Sequence, residues 1–229
     1  MKKNIKIGLC NLIITISLAI SFVLYEIFIL EIKEEVIISS FLLGLYFISP
    51  AYIANGFAVI FGKTVGGPPI DFNKLFLDKK PIFGRGKTYS GFIGGILMSA
   101  LLGGIIYYFI NYNVIYQILL SYNVREFDRI CSLIAFSRRV NYISAFIIGF
   151  GALVGDLVGS FIKRRLGLKR GAFFPLLDQI DFIIGALIFS YFIIMPDLLI
   201  ILTIIFITPA AHAIGNIIGY LAGIKKEPW

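Results

Sequence analysis

Polar sequence and cysteine are both scarce in this chain of 229 residues. Charged residues make up 15% of it, and no polar stretch approaches the roughly 50 residues of a small soluble domain. The two cysteines, Cys10 and Cys131, lie in unrelated segments and indicate neither a disulfide framework nor a metal site. Internal repeats and low-complexity tracts are also absent from the sequence. These absences exclude a separate soluble domain and a disulfide-stabilised scaffold.

Apolar residues dominate instead. The hydrophobic fraction is 59%, the mean hydropathy is +0.92, and several runs exceed the ~20 residues that a membrane span needs. The first run is longer than the ~7–15-residue core of a signal peptide and no small-residue cleavage site follows it, so we expect a retained span. The sequence predicts an all-α, polytopic membrane protein that forms a single integral membrane domain over residues 1–229. We place about six transmembrane helices, at 7–30, 36–61, 89–110, 142–162, 181–196 and 198–222.

The basic residues predict the orientation of these spans. With the N-terminus inside, 16 of the 21 Lys and Arg residues fall in inner segments and 5 in outer ones, as the positive-inside rule requires of cytoplasmic termini. We therefore expect a multi-pass protein of the cell membrane with both termini cytoplasmic. The net charge of +8 then reflects topology and attraction to anionic lipid in the bilayer, not nucleic acid. Two glycine-rich loops, 62–88 and 163–180, are predicted to form a cytoplasmic active site. The outer segment 111–141 has room for a short interfacial helix.

A stripe of polar residues follows one face of the fourth predicted span. Asp156, Ser160, Lys163 and Arg164 are spaced i, i+4, i+7 and i+8. Asp156 lies about 10 Å deeper than Lys163 at 1.5 Å per residue, and an ionisable residue at such a depth indicates a functional site. Its carboxylate needs a metal ion or a cation as partner. The structural alternative is an ion pair with Lys163 or Arg164.

Two further carboxylates open the next apolar run. Asp178 and Asp181 are spaced i, i+3 and project to one side of a helix. Capping of the positively polarised helix N-terminus is one explanation. A cluster of five cations precedes them, however, and Mg²⁺ is commonly held by one or two carboxylates together with substrate phosphates. Arg and Lys would bind the remaining phosphate charge. The pattern therefore favours a magnesium and phosphate site.

The first glycine-rich loop resembles only the end of a P-loop. Gly84, Gly86, Lys87 and Thr88 fit, but the first glycine of that motif would fall at Pro81 and no strand precedes it, which excludes a P-loop NTPase fold. The backbone can still approach a phosphate here, because the free N–H groups at the start of the third span suit an anion. The alternative is a flexible loop with positive-inside lysines. Asp71, in the same loop, could cap, ligate a metal or contact a sugar hydroxyl.

Several motifs in order resemble the archaeal CDP-archaeol synthase family, which belongs with the wider CDP-diacylglycerol synthases. The resemblance covers residues 46–229, and the first span and 111–141 look like additions to a five-span plan. Bacterial members of the wider family carry a Lys-Asp pair and a His-Gly-Gly motif. Both are missing from this sequence, which favours the archaeal branch. The similar pieces are PAYIANG (50–56), GGPPIDF (66–72), FGRGKTYSGFIGG (83–95), GDLVGSFIKRRLGLKRG (155–171), PLLDQIDF (175–182) and the terminal PW (228–229).

The resemblance implies a reaction: CTP and a lipid phosphate give a CDP-lipid and pyrophosphate, with Mg²⁺. In archaea the lipid is unsaturated archaetidic acid, 2,3-bis-O-geranylgeranyl-glycerol 1-phosphate. An ester-lipid CDP-diacylglycerol-type synthase and a cation-coupled transporter are the alternatives, and small-residue ridges leave a homo-oligomer open. We predict catalytic roles for Asp156, Lys163, Arg164, Asp178 and Asp181. Metal ligands are Asp156 and Asp181, with Asp178 as a further ligand or an orienting neighbour. Substrate-binding residues are Asn55, Asp71, Gly84, Gly86, Lys87, Thr88, Ser160, Lys169 and Gln179.

Overall fold

The computed structural model of the chain describes residues 2–32, 34–110, 140–169, 171–194, 196–225 and 227–228. The interfacial helix predicted within 111–141 falls almost wholly outside these residues, as does Cys131. The described residues contain helices and loops and no strand, which confirms the all-α fold. The helices are α1 (Lys2–Phe28), α2 (Glu34–Thr64), α3 (Tyr89–Met98), α4 (Gly104–Phe109), α5 (Tyr142–Arg165), α6 (Leu177–Ser190) and α7 (Leu198–Leu221), with a π-helical turn (Ser99–Gly103) joining α3 to α4.

Five of the described helical segments are long and apolar enough to cross a membrane. They correspond to the predicted spans at 7–30, 36–61, 89–110, 142–162 and 198–222. The segment predicted as the span 181–196 forms α6, which has 14 residues. At 1.5 Å per residue α6 is about 21 Å long, shorter than the ~30 Å hydrocarbon layer. The fifth predicted span is therefore a short helix that begins earlier and ends earlier than its hydropathy indicates.

Pro50 lies inside α2 without ending it. A proline has no N–H to donate to the carbonyl four residues earlier, and here that carbonyl, on Tyr46, accepts a hydrogen bond from Ser49 Oγ at 2.8 Å. The carbonyl of Pro50 itself lies 3.0 Å from Ser99 Oγ at the start of the π-helical turn. Side-chain hydroxyls thus compensate the backbone around Pro50, as buried backbone groups in a membrane require.

Glycines bring α5 and α6 into close contact. A Cβ on Gly155 would overlap the backbone of Asp181, and a Cβ on Gly159 would lie 2.8 Å from Asp181 Cγ and closer still to Oδ2. Small residues of this kind let two helix backbones approach within a membrane. The contact pairs 159 with 181 and 151 with 185 and 189, so the two helices run antiparallel. Their ends at the two glycine-rich loops therefore lie side by side.

The buried core lies between α2, α5, α6 and α7. Its fully buried side chains come from all four helices, and Phe47, Ile148, Phe182 and Ile200 are among the largest. Helix α1 packs on the outside of this core, mainly against α7, where Phe22 and Phe206 stack with ring centroids 4.2 Å apart. Most of the remaining α1 side chains, including Cys10, are exposed on the surface that an apolar span presents to lipid. The core thus fixes α5 and α6, and α1 lines one side of it.

Candidate functional site

The two glycine-rich loops meet at one end of the helix bundle. Arg165, the last residue of α5, reaches the first loop, where its guanidinium lies 3.3 Å from Asp78 Oδ2 and donates to the carbonyl oxygens of Lys80 and Pro81. In return, Lys80 Nζ donates to the carbonyl of Arg165 at 2.8 Å. These contacts join loop 65–88 to the C-terminal end of α5, so both predicted loops contribute to one site.

Two aromatic rings hold the Arg165 guanidinium in place. Its Cζ lies 4.8 Å from the ring centroid of Phe76 and 4.6 Å from that of Phe161. A cation between two ring faces is attracted by both quadrupoles. Sequence reasoning assigned no role to Arg165, because its partners are about 85 residues away in the chain and only the fold brings them near.

Asp71 organises the first loop from within. Its side chain is buried, and its carboxylate oxygens accept backbone hydrogen bonds from Asn73 (3.0 Å), Phe83 (2.9 Å) and Gly84 (2.8 Å). Burial alone raises the pKa of Asp71, but these three donors outweigh it and hold the pKa below its ordinary value. Of the three roles we predicted for this acid, the contacts fit loop capping and leave few lone pairs for a ligand.

Asp156 of helix α5 pairs with Lys87, which comes from the first glycine-rich loop. The Lys87 ammonium forms an ion pair with Asp156 Oδ2, and both side chains are about three-quarters buried, with exposed fractions of 28% and 22%. As a structural alternative we predicted an ion pair of Asp156 with Lys163 or Arg164. That prediction is wrong about the partner, which is Lys87. Asp156 therefore joins the first loop to helix α5 electrostatically.

The start of α6 brings the other two carboxylates to the same place. Lys163 Nζ lies 2.7 Å from Asp178 Oδ1, and the backbone N–H of Phe174 donates to Asp178 Oδ2 at 3.2 Å. Asp181 is 9% exposed and lies against Gly155 and Gly159 of α5. The charges of Asp156, Lys87 and Asp178 all act on the Asp181 carboxylate, so the four groups form one electrostatic cluster.

The first turn of α6 has an unusual beginning. Leu176, its N-cap residue, adopts a left-handed conformation with φ of 62°, and no side chain caps the helix. A branched apolar residue adopts this conformation only at a cost in free energy. The turn that carries Asp178 and Asp181 is therefore held by tertiary contacts more than by local sequence preference.

Two cavities open beside this cluster. The first, of about 60 Å³, lies between α2, α3 and α5 and combines Asn55, Gly86, Lys87, Thr88 and Asp156 with apolar side chains. The second, of about 430 Å³, lies between the two loops. Its basic lining consists of Lys80, Arg85, Arg164 and Lys169, and Gly84 also contributes.

The structure assigns different surroundings to the remaining predicted residues. Thr88 is the N-cap of α3, and its Oγ1 accepts from the N–H of Gly91 at 3.2 Å. Ser160 is buried within α5. Gln179 faces away from both cavity linings, since its Nε2 donates to Asn11 Oδ1 of α1 at 3.0 Å.

A further cation reaches the cluster from the C-terminal end of the chain. Lys225 Nζ donates to Asn216 Oδ1 of α7, and its charge interacts with those of Asp156, Asp178, Lys87 and Lys63. Burial lowers the pKa of Lys225 from about 10.5 to about 8. In the sequence, Asn216 lies four residues after His212 and so shares a face of α7 with it, but this spacing does not identify Lys225 as a partner.

The donor set fits a magnesium ion that arrives with substrate. Among the described residues, no three His, Cys, Asp or Glu side chains gather closely enough to hold a metal on their own. Mg²⁺, however, needs only one or two carboxylates where substrate phosphates complete its coordination. Asp156 and Asp181 offer such oxygens from adjacent helices, and Asp156 and Asp178 are each also paired with a lysine, Lys87 and Lys163 respectively.

Comparison with known proteins yields one consistent family. A sequence model described as CarS-like, CDP-archaeol synthase, matches residues 36–229. The CDP-archaeol synthase of Methanocaldococcus jannaschii is 43% identical over 187 residues, which cover 81% of this chain and 96% of that protein. The CDP-archaeol synthase of Methanosarcina barkeri is 43% identical over 191 residues, covering 79% of this chain and 99% of that protein. A solved structure described as an intramembrane enzyme for archaeal membrane lipids biosynthesis is 30% identical, with a TM-score of 0.49, and covers 79% of this chain and 92% of that one.

Proposed function

The chain belongs to the CDP-archaeol synthases, membrane enzymes of archaeal lipid biosynthesis, and on this premise we propose that it transfers a cytidylyl group from CTP to a lipid phosphate. The proposed acceptor is 2,3-bis-O-geranylgeranyl-glycerol 1-phosphate. An oxygen of this phosphate forms a bond to the α-phosphorus of CTP. The bond from the α-phosphorus to the β-phosphate oxygen breaks, and the products are CDP-archaeol and pyrophosphate.

This chemistry needs charge stabilisation more than acid–base catalysis. A lipid phosphate is already ionised at neutral pH, so the nucleophile needs no strong general base. Phosphoryl-type transfer then depends on positioning and on the stabilisation of charge on the leaving group. The cluster around Asp156 offers cations from three separate segments: Lys87 from the first loop, Lys163 from α5 and Lys225 from the C-terminal end.

In the proposed site the carboxylates and cations have separate tasks. Asp156 and Asp181 would hold Mg²⁺, which when bound supplies Lewis-acid neutralisation of phosphate charge. Lys163 orients Asp178 through their ion pair. Arg164 and Lys169, which line the cavity between the loops, would bind the β- and γ-phosphates of CTP. Lys87 and Thr88, which line the smaller cavity between α2, α3 and α5, would bind the phosphate of the lipid substrate.

The two cavities suggest how two dissimilar substrates are separated. The cavity between the loops has basic walls, which suit a nucleoside triphosphate. The smaller cavity is lined both by polar groups and by apolar ones such as Val59, Phe92 and Leu153, which suits the junction of a phosphate with its lipid chains. We further propose that this end of the bundle faces the cytoplasm, where CTP is available, and that the protein lies in the cell membrane.

The ion pair between Asp156 and Lys87 is the observation that carries this proposal, because it joins the first loop to helix α5 at a carboxylate that lines the smaller cavity. The test is pyrophosphate release by the purified protein supplied with CTP and the geranylgeranyl lipid phosphate. We expect release to require both substrates and to stop when EDTA is added. Release that needs no lipid phosphate, or none at all from folded protein with Mg²⁺ present, would contradict the proposal. An ester-linked phosphatidic acid in place of the ether lipid measures the linkage preference.

A further inference from the structure

Helix α1 lies outside the unit that defines the family. The family match begins at residue 36, after α1 has ended at Phe28. The relatives from M. jannaschii and M. barkeri are matched over 96% and 99% of their own lengths. The few residues left unmatched in them are too short for another span of ~20 residues. This chain therefore carries a helix for which those relatives have no room.

A buried polar contact connects α1 to the carboxylate-bearing turn of α6. Gln179 Nε2 donates to Asn11 Oδ1 at 3.0 Å, and the two residues are only 1% and 7% exposed. Gln179 lies between Asp178 and Asp181, on the turn that begins with the left-handed Leu176 and has no capping side chain. The remaining polar atoms of the two amides, Asn11 Nδ2 and Gln179 Oε1, have no hydrogen-bond partner among the described residues. Loss of one amide would thus leave the other buried and unpaired.

A second contact seats the same end of α1. A Cβ on Gly8, one turn before Asn11, would lie 2.9 Å from Cβ of Pro228 near the chain's C-terminal end. Thr15, one turn after Asn11, is buried on the same face but donates only to the Leu12 carbonyl of its own helix. Of these three α1 residues, Asn11 is the one that forms a hydrogen bond with α6.

We propose that Asn11 is a positioning residue of the active site, which holds Gln179 and thereby fixes Asp178 and Asp181 for Mg²⁺ and phosphate. Helix α1 would then be an added brace for the first turn of α6. This inference rests on the proposed function for its kinetic consequence. Its structural consequence, a more firmly held turn, is independent of what the enzyme makes.

The test compares Asn11→Leu with Thr15→Val in the full-length purified protein. Both substitutions remove one buried polar group from the same face of α1 and keep the number of heavy side-chain atoms, and only the first removes a hydrogen bond to α6. Hydrogen–deuterium exchange of the peptide covering 174–183 is the first readout. We expect about tenfold faster exchange in Asn11→Leu and no change in Thr15→Val. Equal exchange in the two variants would overturn the proposal whether or not the enzyme is active.

Kinetics provide the second readout. We expect Asn11→Leu to raise the Mg²⁺ concentration for half-maximal activity by about tenfold, with a smaller change in kcat at saturating Mg²⁺. The exchanged pair Asn11→Gln with Gln179→Asn keeps both amides and should recover most of the loss. A drop in kcat alone, with an unchanged Mg²⁺ requirement, would overturn the positioning role. If the unsubstituted protein forms no CDP-lipid, the proposed function fails, and the exchange comparison still decides the role of Asn11.

Discussion

Single residues of the candidate site divide into those that stabilise its loops and those that line its cavities. Asp71 stabilises the first loop, because its carboxylate is buried and accepts hydrogen bonds from three backbone N–H groups of that loop. Asp156 lines a cavity: it is partly exposed on the smaller cavity between α2, α3 and α5, and it forms an ion pair with Lys87. The sequence placed Asp156 inside a span and Asp71 in a loop with three possible roles, and the hydrogen-bond partners of Asp71 favour loop capping among those roles.

Asp71→Asn tests whether the Asp71 carboxylate stabilises the first loop. The substitution removes the negative charge that three N–H groups face, so we expect the first loop to lose about 1–3 kcal/mol of local stability. Faster amide exchange at Phe83 and Gly84 would measure this loss. Because the folded-state pKa of Asp71 is lowered, the difference between the two proteins should be fully present above the unfolded pKa of about 3.9 and should disappear as pH falls through the folded value. A difference that persists at the lowest pH would contradict the capping role.

At the scale of helices, the site depends on close contact between α5 and α6. This contact has glycines on the α5 side and the backbone and side chain of Asp181 on the α6 side. Helix α6 begins at this contact, so its first residues present Asp178 and Asp181 beside α5.

Gly159→Ala tests the contact. The added methyl group would overlap the Asp181 carboxylate, and overpacking of this kind costs about 1–3 kcal/mol. We expect a lower melting temperature and a loss of most activity, since Asp181 must move. Gly215→Ala is the matched control in another membrane helix, because nothing lies within 4 Å of a Cβ there. Equal activity in both variants would show that the contact is not critical.

Arg165→Lys tests the clamp between the loops. Lysine keeps the charge but cannot stack between Phe76 and Phe161 or donate in several directions at once. Because the first loop should become looser, we expect about a tenfold rise in the KM for CTP and a smaller change in kcat. Faster exchange across 74–84 should accompany it. If the loop exchanges faster but the KM for CTP is unchanged, the contacts of Arg165 do not contribute to nucleotide binding.

The sequence predicted the helices better than their partners. Apolar run lengths located five of the spans, since burial in lipid depends on composition, but they overestimated α6, whose exposed residues Tyr191–Ile193 extend the hydropathy beyond the helix. The two loops were predicted to form one site, and the structure brings them together. The pairs Lys87–Asp156 and Arg165–Asp78 could not be predicted, because each joins segments about 70 to 90 residues apart.

In the whole molecule, both ends of the chain return to the same site. Helix α1 contacts α6 through Asn11, and the segment after α7 brings Lys225 close to the charges of Asp156 and Asp178. The candidate site therefore receives contacts from both ends of the chain, although its recognisable motifs occupy only the two loops and the helices beside them.

Lys225 predicts a pH dependence. With a pKa of about 8, its ammonium is charged below that pH and neutral above it. The charged groups that act on it are Lys63 at the end of α2, Lys87 in the first loop, Asp156 in α5 and Asp178 in α6. We expect CTP binding to weaken as pH rises from 7 to 9, and Lys225→Arg, which stays charged, to remove that weakening. A KM for CTP with the same pH profile in both proteins would contradict this.

The account depends most on two carboxylates acting together at the α5–α6 contact. The most direct measurement is CDP-lipid formation by purified Asp156→Asn and Asp181→Asn proteins, supplied with CTP, the geranylgeranyl lipid phosphate and Mg²⁺. Size-exclusion profiles and melting temperatures serve as the check that each variant is folded. We predict that each substitution lowers kcat/KM by at least about 10²-fold. Folded variants that retain full Mg²⁺-dependent activity would contradict the account.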